Sequence, residues 1–255
     1  MPISAFQYAV ASAVLALAGP FHASAAEGTP APLTLYIVSE HSPPAAMRDG
    51  DNVTGRETDK IRELMQRTGT SYRLDLLPWK RAYVLVGERP DMCVYSMSRT
   101  PEREAMFKWI GPTDEADWVF YGRADQDLRL RTLEDARPLR IGTYAGDARD
   151  LYLRARGFNI DSSPNDQANP EKLLNHRIDL WALAIRTGSG PLTQFPWSDR
   201  LVPVLTFNHV GVYLACNRAV PDALVQQLNT ALVAARRDGS IKKIERKYAH
   251  WNATK

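Results

Sequence analysis

The most informative part of the chain reads Ser96-Met97-Ser98-Arg99-Thr100-Pro101-Glu102-Arg103 and is followed by Phe107-Lys108-Trp109-Ile110-Gly111-Pro112. An apolar segment leads through hydroxyl groups into a turn that begins with a proline, and two arginines follow within a few residues of each other. Hydroxyl groups, backbone N–H groups near a helix start and a guanidinium together suit a small carboxylate. The alternative is that Arg99 and Arg103 are solvated charges paired with Glu102 or Glu104.

Along the chain, apolar strand-like runs alternate with amphipathic helix-like runs, which is the pattern of an α/β fold. Asp147 is predicted to cap the helix that follows Gly146. No internal repeat interrupts the pattern, and we infer that the chain builds one lobe, visits a second and returns. Strands are predicted at 33–38, 72–77, 92–96, 117–122, 139–143, 178–184 and 210–215, and helices at 59–68, 147–156, from 169 onward and at 221–236.

The first residues have the pattern of a cleavable signal peptide. Residues 9–18 are almost wholly apolar but too few to span a bilayer, and Ala23-Ser24-Ala25 supplies an A-x-A cleavage site. The segment before the apolar run has no Lys or Arg, so a buried N-terminal helix is the alternative. Residues 1–25 are therefore predicted to be removed, and the product is predicted to reach the periplasm.

Composition narrows the function further. A net charge of +3 is too small to indicate nucleic-acid binding. The five histidines are scattered and show no close Cys/His spacing, so no metal site and no cofactor are predicted.

The stretch around Arg103 and several other segments along the chain resemble the bacterial extracellular solute-binding proteins of family 3. In that family the stretch that corresponds to Ser98–Pro112 reads T/S-x-T/S-x-x-R, followed by an aromatic residue and a proline. The resemblance runs from about Leu33 to Trp251. Its segments are Ser98, Thr100, Arg103, Phe107 and Pro112; Val53-Thr54-Gly55-Arg56-Glu57-Thr58-Asp59; Leu139-Arg140-Ile141-Gly142 with Gly146; and Arg237-Asp238-Gly239-Ser240 with Ile244 and Tyr248.

This resemblance implies a two-lobed α/β architecture, the periplasmic binding protein type II fold, with two strands crossing the hinge. Lobe 1 is expected at 33–118 plus 212–255 and lobe 2 at 119–211. The implied function is capture of a small carboxylate-bearing solute, such as an amino acid or a derivative, for an ABC-type transporter. The expected partners are that solute and a membrane permease or receptor, and the protein is expected to be a monomer.

The resemblance also places both cysteines, Cys93 and Cys216, in lobe 1. In an oxidising compartment an even number of cysteines favours a disulfide. The alternative is two small buried thiols.

Residue by residue, the resemblance implies that Arg103 grips the ligand carboxylate with help from Ser98, while Arg99 adds positive charge. Departures appear in the second lobe. Ala184 stands where the family usually has an acid that binds the ligand ammonium, and Asp147 stands where it usually has a threonine, so an ordinary α-amino acid is a less expected ligand. The remaining ligand-binding candidates are Ser96 on the same strand, Trp79 as an apolar wall, and Glu40 and His41 after the first strand. The alternatives are a core tryptophan for Trp79 and structural capping for Glu40.

Two other functions fit the same scaffold. One is a periplasmic enzyme similar to cyclohexadienyl dehydratases, for which Glu40, His41 and Asp147 are the candidate acids or bases. The sequence contains no G-x-S-x-G, H-E-x-x-H, phosphate-loop or dinucleotide motif, so a non-enzyme is predicted. The other is a ligand-sensing subunit of a membrane receptor.

Overall fold

In the computed structural model, the described residues are Met1, 33–186, 197, 199–249 and 251. Apart from Met1, the predicted signal peptide at 1–25 lies outside them and stays a prediction. Among the described residues, no helix is long and apolar enough to cross a membrane.

Strands and helices alternate through most of the described chain. The strands are β1 (Thr34–Ser39), β2 (Met47–Asp49), β3 (Asn52–Thr54), β4 (Ser71–Leu76), β5 (Met92–Ser98), β6 (Lys108–Arg123), β7 (Ile141–Tyr144), β8 (Ile160–Ser163), β9 (Leu180–Arg186) and β10 (Leu201–Cys216). The α-helices are α1 (Arg56–Thr68), α2 (Trp79–Glu88), α3 (Ala148–Ala155), α4 (Ala168–Leu174), α5 (Asp222–Arg237) and α6 (Ser240–Tyr248).

Eight of these strands form one mixed sheet in the order β4-β1-β5-β10-β6-β9-β7-β8, and β2 and β3 form a separate ribbon. The pairs at both ends of the sheet are parallel, while β5, β10, β6 and β9 pair antiparallel. The predicted α/β class is confirmed.

The two longest strands of the described residues, β6 and β10, are neighbours in the middle of the sheet. Each contains 16 residues, and their pairing runs from Lys108 opposite Cys216 to Arg123 opposite Leu201. The sequence pattern predicted only 117–122 and 210–215, so these two predictions were too short. The β6–β10 pair therefore lies between β4, β1 and β5 on one side and β9, β7 and β8 on the other.

Separate apolar clusters flank the crossing strands. One packs β1 and β5 against α1 and α5, with Leu35, Tyr95 and Leu228 fully buried. Another packs β7 and β9 against α3, with Ile141 and Leu153 fully buried. Because the sheet is continuous and Leu33–Lys255 pack as one unit, the boundaries expected for the two lobes stay a prediction.

A disulfide joins Cys93 in β5 to Cys216 in β10, and both residues are fully buried. The two residues are directly opposite each other in the antiparallel register. The predicted disulfide is confirmed, and it fastens the return strand to the first part of the sheet.

Candidate functional site

Arg103 lies in the turn after β5, and only 1% of its surface is exposed. Its Nη1 donates to the Ser98 carbonyl oxygen at 3.4 Å, and its Nη2 donates to the Gly146 carbonyl oxygen at 3.3 Å. Its Nε has no hydrogen-bond partner among the described residues. A buried cation thus meets backbone carbonyls, and one of its donors remains unsatisfied.

Two aromatic rings from α2 enclose the same guanidinium. The Arg103 guanidinium carbon lies 5.6 Å from the Trp79 ring centroid and 5.0 Å from the Tyr83 ring centroid. Trp79 and Tyr83 are four residues apart in the helix and therefore share one face. Trp79 Nε1 also donates to the Gly146 carbonyl oxygen at 3.4 Å, so both Trp79 and Arg103 reach the loop between β7 and α3.

A second contact between distant parts of the chain joins Glu40, which follows β1, to Tyr144 at the end of β7. The Tyr144 hydroxyl donates to Glu40 Oε1 at 2.7 Å, and the Trp79 backbone N–H donates to the same oxygen at 3.4 Å. Burial raises the pKa of Glu40 above its usual value, although both hydrogen bonds oppose the shift. Burial and the Glu40 carboxylate raise the pKa of the Tyr144 phenol.

Asp147 caps α3, as the sequence predicted, because its carboxylate accepts from the Arg149 backbone N–H at 2.9 Å. The same oxygen accepts from Arg149 Nε at 2.6 Å, and Arg149 Nη2 reaches Asp166 at 3.2 Å. Burial alone would raise the pKa of Asp147, but the charges of Arg149 and Arg103 outweigh it and hold that pKa below its usual value. Asp147 therefore stays anionic beside the Arg103 guanidinium.

Ser96 and Ser98 lie at the end of β5, and Ser98 contacts Arg103 through its carbonyl oxygen. Ser96 has a φ of 65°, which is unusual for a residue other than glycine, and its buried Oγ has no partner in the described part of the chain. Its carbonyl oxygen accepts from Arg186 Nη2 at 3.1 Å. Backbone strain of this kind concentrates at ligand-binding positions.

Two predicted site residues, Arg99 and His41, make no contact with Arg103 or Trp79 in the described residues. Arg99 Nε donates to Glu104 at 2.7 Å, and its guanidinium lies over the rings of Trp109 and Tyr213. That pairing is the alternative that the sequence left open for Arg99. His41 is exposed.

Several residues of the site were missed by the sequence reasoning: Tyr83, Tyr144, Arg149 and Arg186. The spacing of Tyr83 from Trp79 was a usable signal, since both fall on one helical face. Arg186 had a weaker signal. It lies two positions after Ala184 and therefore on the same face of β9. In the described residues, no cluster of His, Cys, Asp and Glu has the arrangement of a metal site.

The sequence of residues 35–250 matches the family model of the bacterial extracellular solute-binding proteins, family 3. A comparison of the sequence with curated proteins gives no match.

Among solved structures, a histidine kinase sensor domain with similarity to periplasmic binding proteins superimposes with a TM-score of 0.74 at 16% identity, over 86% of this chain and 97% of that one. An ancestral arginine-binding protein bound to arginine gives 0.69 at 19% identity, over 85% and 98%. An ancestral amino-acid-binding protein, described as a precursor of cyclohexadienyl dehydratase, gives 0.68 at 17% identity, over 85% and 95%. These likenesses show that the chain has the α/β fold of periplasmic binding proteins.

Proposed function

The chain belongs to the bacterial extracellular solute-binding proteins, family 3, and on that premise we propose that it captures a small carboxylate-bearing solute in the periplasm. It delivers this solute to an ABC-type transporter as a monomer and performs no chemistry on it. The cleft lies between the turn that carries Arg103 and the loop that carries Gly146 and Asp147.

The observation that carries the proposal is the state of Arg103. Its guanidinium is buried between two rings, and its Nε has no acceptor among the described residues. A hydrogen bond between charged groups contributes about 1.5–3 kcal/mol, and a buried donor left unsatisfied costs about 1–3 kcal/mol. A carboxylate that enters beside Trp79 supplies the missing acceptor and neutralises the charge.

The acidic side chains of the protein indicate what the rest of the solute, beyond its carboxylate, must offer. Glu40 and Asp147 both lie within the cleft, whereas Ala184 offers no charge where relatives usually have an acid. Glu40 replaces that acid from the opposite side, with Trp79 covering the apolar part of the solute. The proposed solute is therefore a small acid, such as an amino-acid derivative. Its carboxylate binds Arg103, and its second polar group faces Glu40 rather than Ala184.

A thermal-shift screen of small acids, amino acids and amines tests this proposal. A solute present at about one hundred times its dissociation constant adds about 2.7 kcal/mol to the free energy of unfolding, which a melting curve detects. We expect shifts with carboxylates and none with the corresponding amides. Amides that stabilise as well as acids would contradict a carboxylate site.

The enzyme alternative is tested by incubation with prephenate or arogenate followed by a search for product. Substrate that remains intact is the expected result. Turnover abolished by Glu40→Gln would replace the binding function by a catalytic one.

A further inference from the structure

Trp118 carries a buried hydrogen-bond donor that the proposed binding function does not use. The residue lies within β6, and its side chain is fully buried. Its indole Nε1 has no hydrogen-bond partner among the described residues. An indole nitrogen only donates, and a buried one usually finds an acceptor. This N–H therefore lacks an oxygen that the described part of the chain does not supply.

The sheet register places Trp118 beside Ala184. The two residues are directly opposite each other in the antiparallel pairing of β6 with β9. Side chains of opposite residues lie on the same face of a sheet, with Cβ atoms about 4.5–5.5 Å apart. Ala184 stands where relatives usually have an acid that binds the ligand ammonium, the group on the carbon next to the carboxylate. The Trp118 indole therefore adjoins the place where relatives bind that group.

The start of α3 packs on the same indole. Ala148, the first residue of α3, belongs to the apolar cluster that contains Trp118. Tyr152, one turn further along the helix, meets the indole edge to face with the ring centroids 5.4 Å apart. Ala148 directly follows Asp147, which caps the helix. Trp118 thus has the proposed cleft loop as a neighbour as well as β9.

The same apolar cluster also reaches the surroundings of Arg103. Val212 of β10 belongs to it and lies opposite Ser98, whose carbonyl oxygen accepts from Arg103. The Nε of Arg103 is buried without an acceptor among the described residues, as the Nε1 of Trp118 is. A solute with a carboxylate for Arg103 and a further oxygen for Trp118 satisfies both donors. Burial does not separate Trp118 from such a solute, because the proposed anchor Arg103 is buried almost as completely and hinge opening admits the solute.

We propose that Trp118 is a specificity-determining residue that donates its indole N–H to an oxygen on the solute carbon next to the carboxylate. This inference rests on the proposed function and narrows its solute class to 2-oxo and 2-hydroxy acids. An ammonium group on that carbon only donates, so beside Ala184 it meets a second donor and no acceptor. The polar group that faces Glu40 is a separate part of the solute.

Isothermal titration calorimetry with two matched sets of acids tests the inference. One set is pyruvate, lactate and alanine, and the other is phenylpyruvate, phenyllactate and phenylalanine. Within each set the acids differ only at the carbon next to the carboxylate. We expect the 2-oxo or the 2-hydroxy acid to bind the wild type at least about tenfold more tightly than the amino acid, because only the oxygen pairs with the buried donor.

Two variants and a control assign that preference to Trp118. Trp118→Phe removes the N–H but keeps an aromatic ring, and it should reduce the preference by a factor of about 3 to 10. Ala184→Asp supplies an acceptor beside the indole and a partner for an ammonium, so it should reverse the preference. Trp181→Phe is the matched control, because its indole is buried on the opposite face of β9 and already donates to Asp166 at 2.8 Å. The control should keep the wild-type preference.

The ratio of affinities within a set separates recognition from packing, since a packing defect weakens all three acids alike. Ala184→Asp remains informative if Trp118→Phe does not fold. Amino acids that bind the wild type as tightly as their 2-oxo and 2-hydroxy counterparts, or a preference that persists in Trp118→Phe, would overturn the inference. Failure of both sets to bind would also overturn it.

The outcomes distinguish this inference from the proposed function. Tight binding of carboxylates without any preference for an oxygen beside Ala184 would leave the carboxylate site standing and remove the role of Trp118. Pyruvamide that binds as tightly as pyruvate, with an affinity that falls in Trp118→Phe, would support the role of Trp118 and count against the carboxylate site.

Discussion

Two buried groups of charge differ in what neutralises them. Around the start of β6, Lys60 and Arg56 meet the carboxylates of Glu57 and Asp114 directly. In the proposed cleft, Arg103 contacts two backbone carbonyl oxygens and two aromatic rings, and it forms no ion pair among the described residues.

On this difference we propose a structural role for the first group and a binding role for the second. The first group is neutralised within the fold and adjoins the apolar cluster that contains the disulfide. The second group is joined by single hydrogen bonds, to Gly146 and between Tyr144 and Glu40, which the proposed solute would replace. Loss of a partner should therefore reduce stability in the first group and affinity in the second.

The largest expected effect is on the first group. Lys60→Met removes a cation whose side chain is 0% exposed and leaves Glu57 buried with reduced compensation. Breaking a buried ion pair from one side costs about 3–5 kcal/mol. Urea unfolding should show this loss, whereas Lys242→Met on the exposed face of α6 should change the free energy of unfolding by less than about 0.5 kcal/mol. Equal effects for the two variants would contradict the comparison.

The disulfide is expected to matter somewhat less. It closes a loop between residues separated by 123 positions, and its removal in Cys93→Ala/Cys216→Ala should cost about 2–4 kcal/mol. Urea unfolding under non-reducing conditions measures the difference. The loss should disappear when wild type and variant are compared in reductant, and a loss that persists there would point to packing instead.

Asp114 should give the first group a distinctive pH dependence. Its pKa is about 6 in the folded state, above the value of about 3.9 for a free carboxyl. The folded state therefore holds this proton more tightly, and the stabilisation is present below about pH 4 and lost as the pH rises to about 6. Asp114→Asn should remove that slope from the curve of stability against pH. The exposed Asp51→Asn should keep the wild-type slope, and a slope retained in Asp114→Asn would assign it to another group.

The smallest expected effect is on a contact across the cleft. Tyr144→Phe removes the 2.7 Å hydrogen bond to Glu40. It should lower the free energy of unfolding by about 1 kcal/mol, because one hydrogen bond is lost and Glu40 remains partly hydrated. Thermal melting compares it with Tyr72→Phe, a half-buried tyrosine outside the cleft. A loss as large as that of Lys60→Met would mean that the cleft contacts are structural after all.

The sequence predicted the α/β class and most elements, and its errors have physical causes. Both crossing strands were underestimated because Pro112 lies within β6 and Pro203 within β10, and proline usually ends a strand. The β6–β10 ladder overrides that local signal. Helix α2 was missed because it begins after Pro78, without a capping side chain to mark its start.

For the site, the sequence singled out residues whose local pattern was informative. It identified Arg103, Trp79 and the Asp147 cap, and the structure brings Arg103 and Trp79 together. It could not place Arg186, because the Ser96 carbonyl that Arg186 contacts lies 90 positions away. The residue pattern alone did not separate Arg99 from Arg103. The resemblance assigned the carboxylate to Arg103, and the fold turns Arg99 toward Glu104 and buries Arg103.

That pair of arginines provides the most direct test of the binding claim. Isothermal titration calorimetry of Arg103→Gln and Arg99→Gln, with the carboxylate that most stabilises the wild type, compares a buried guanidinium with a surface-paired one. We predict that Arg103→Gln weakens binding by about 2–3 kcal/mol, a factor of about 30 to 150, and that Arg99→Gln changes it by less than about 0.5 kcal/mol. Wild-type affinity in a folded Arg103→Gln variant would contradict the account.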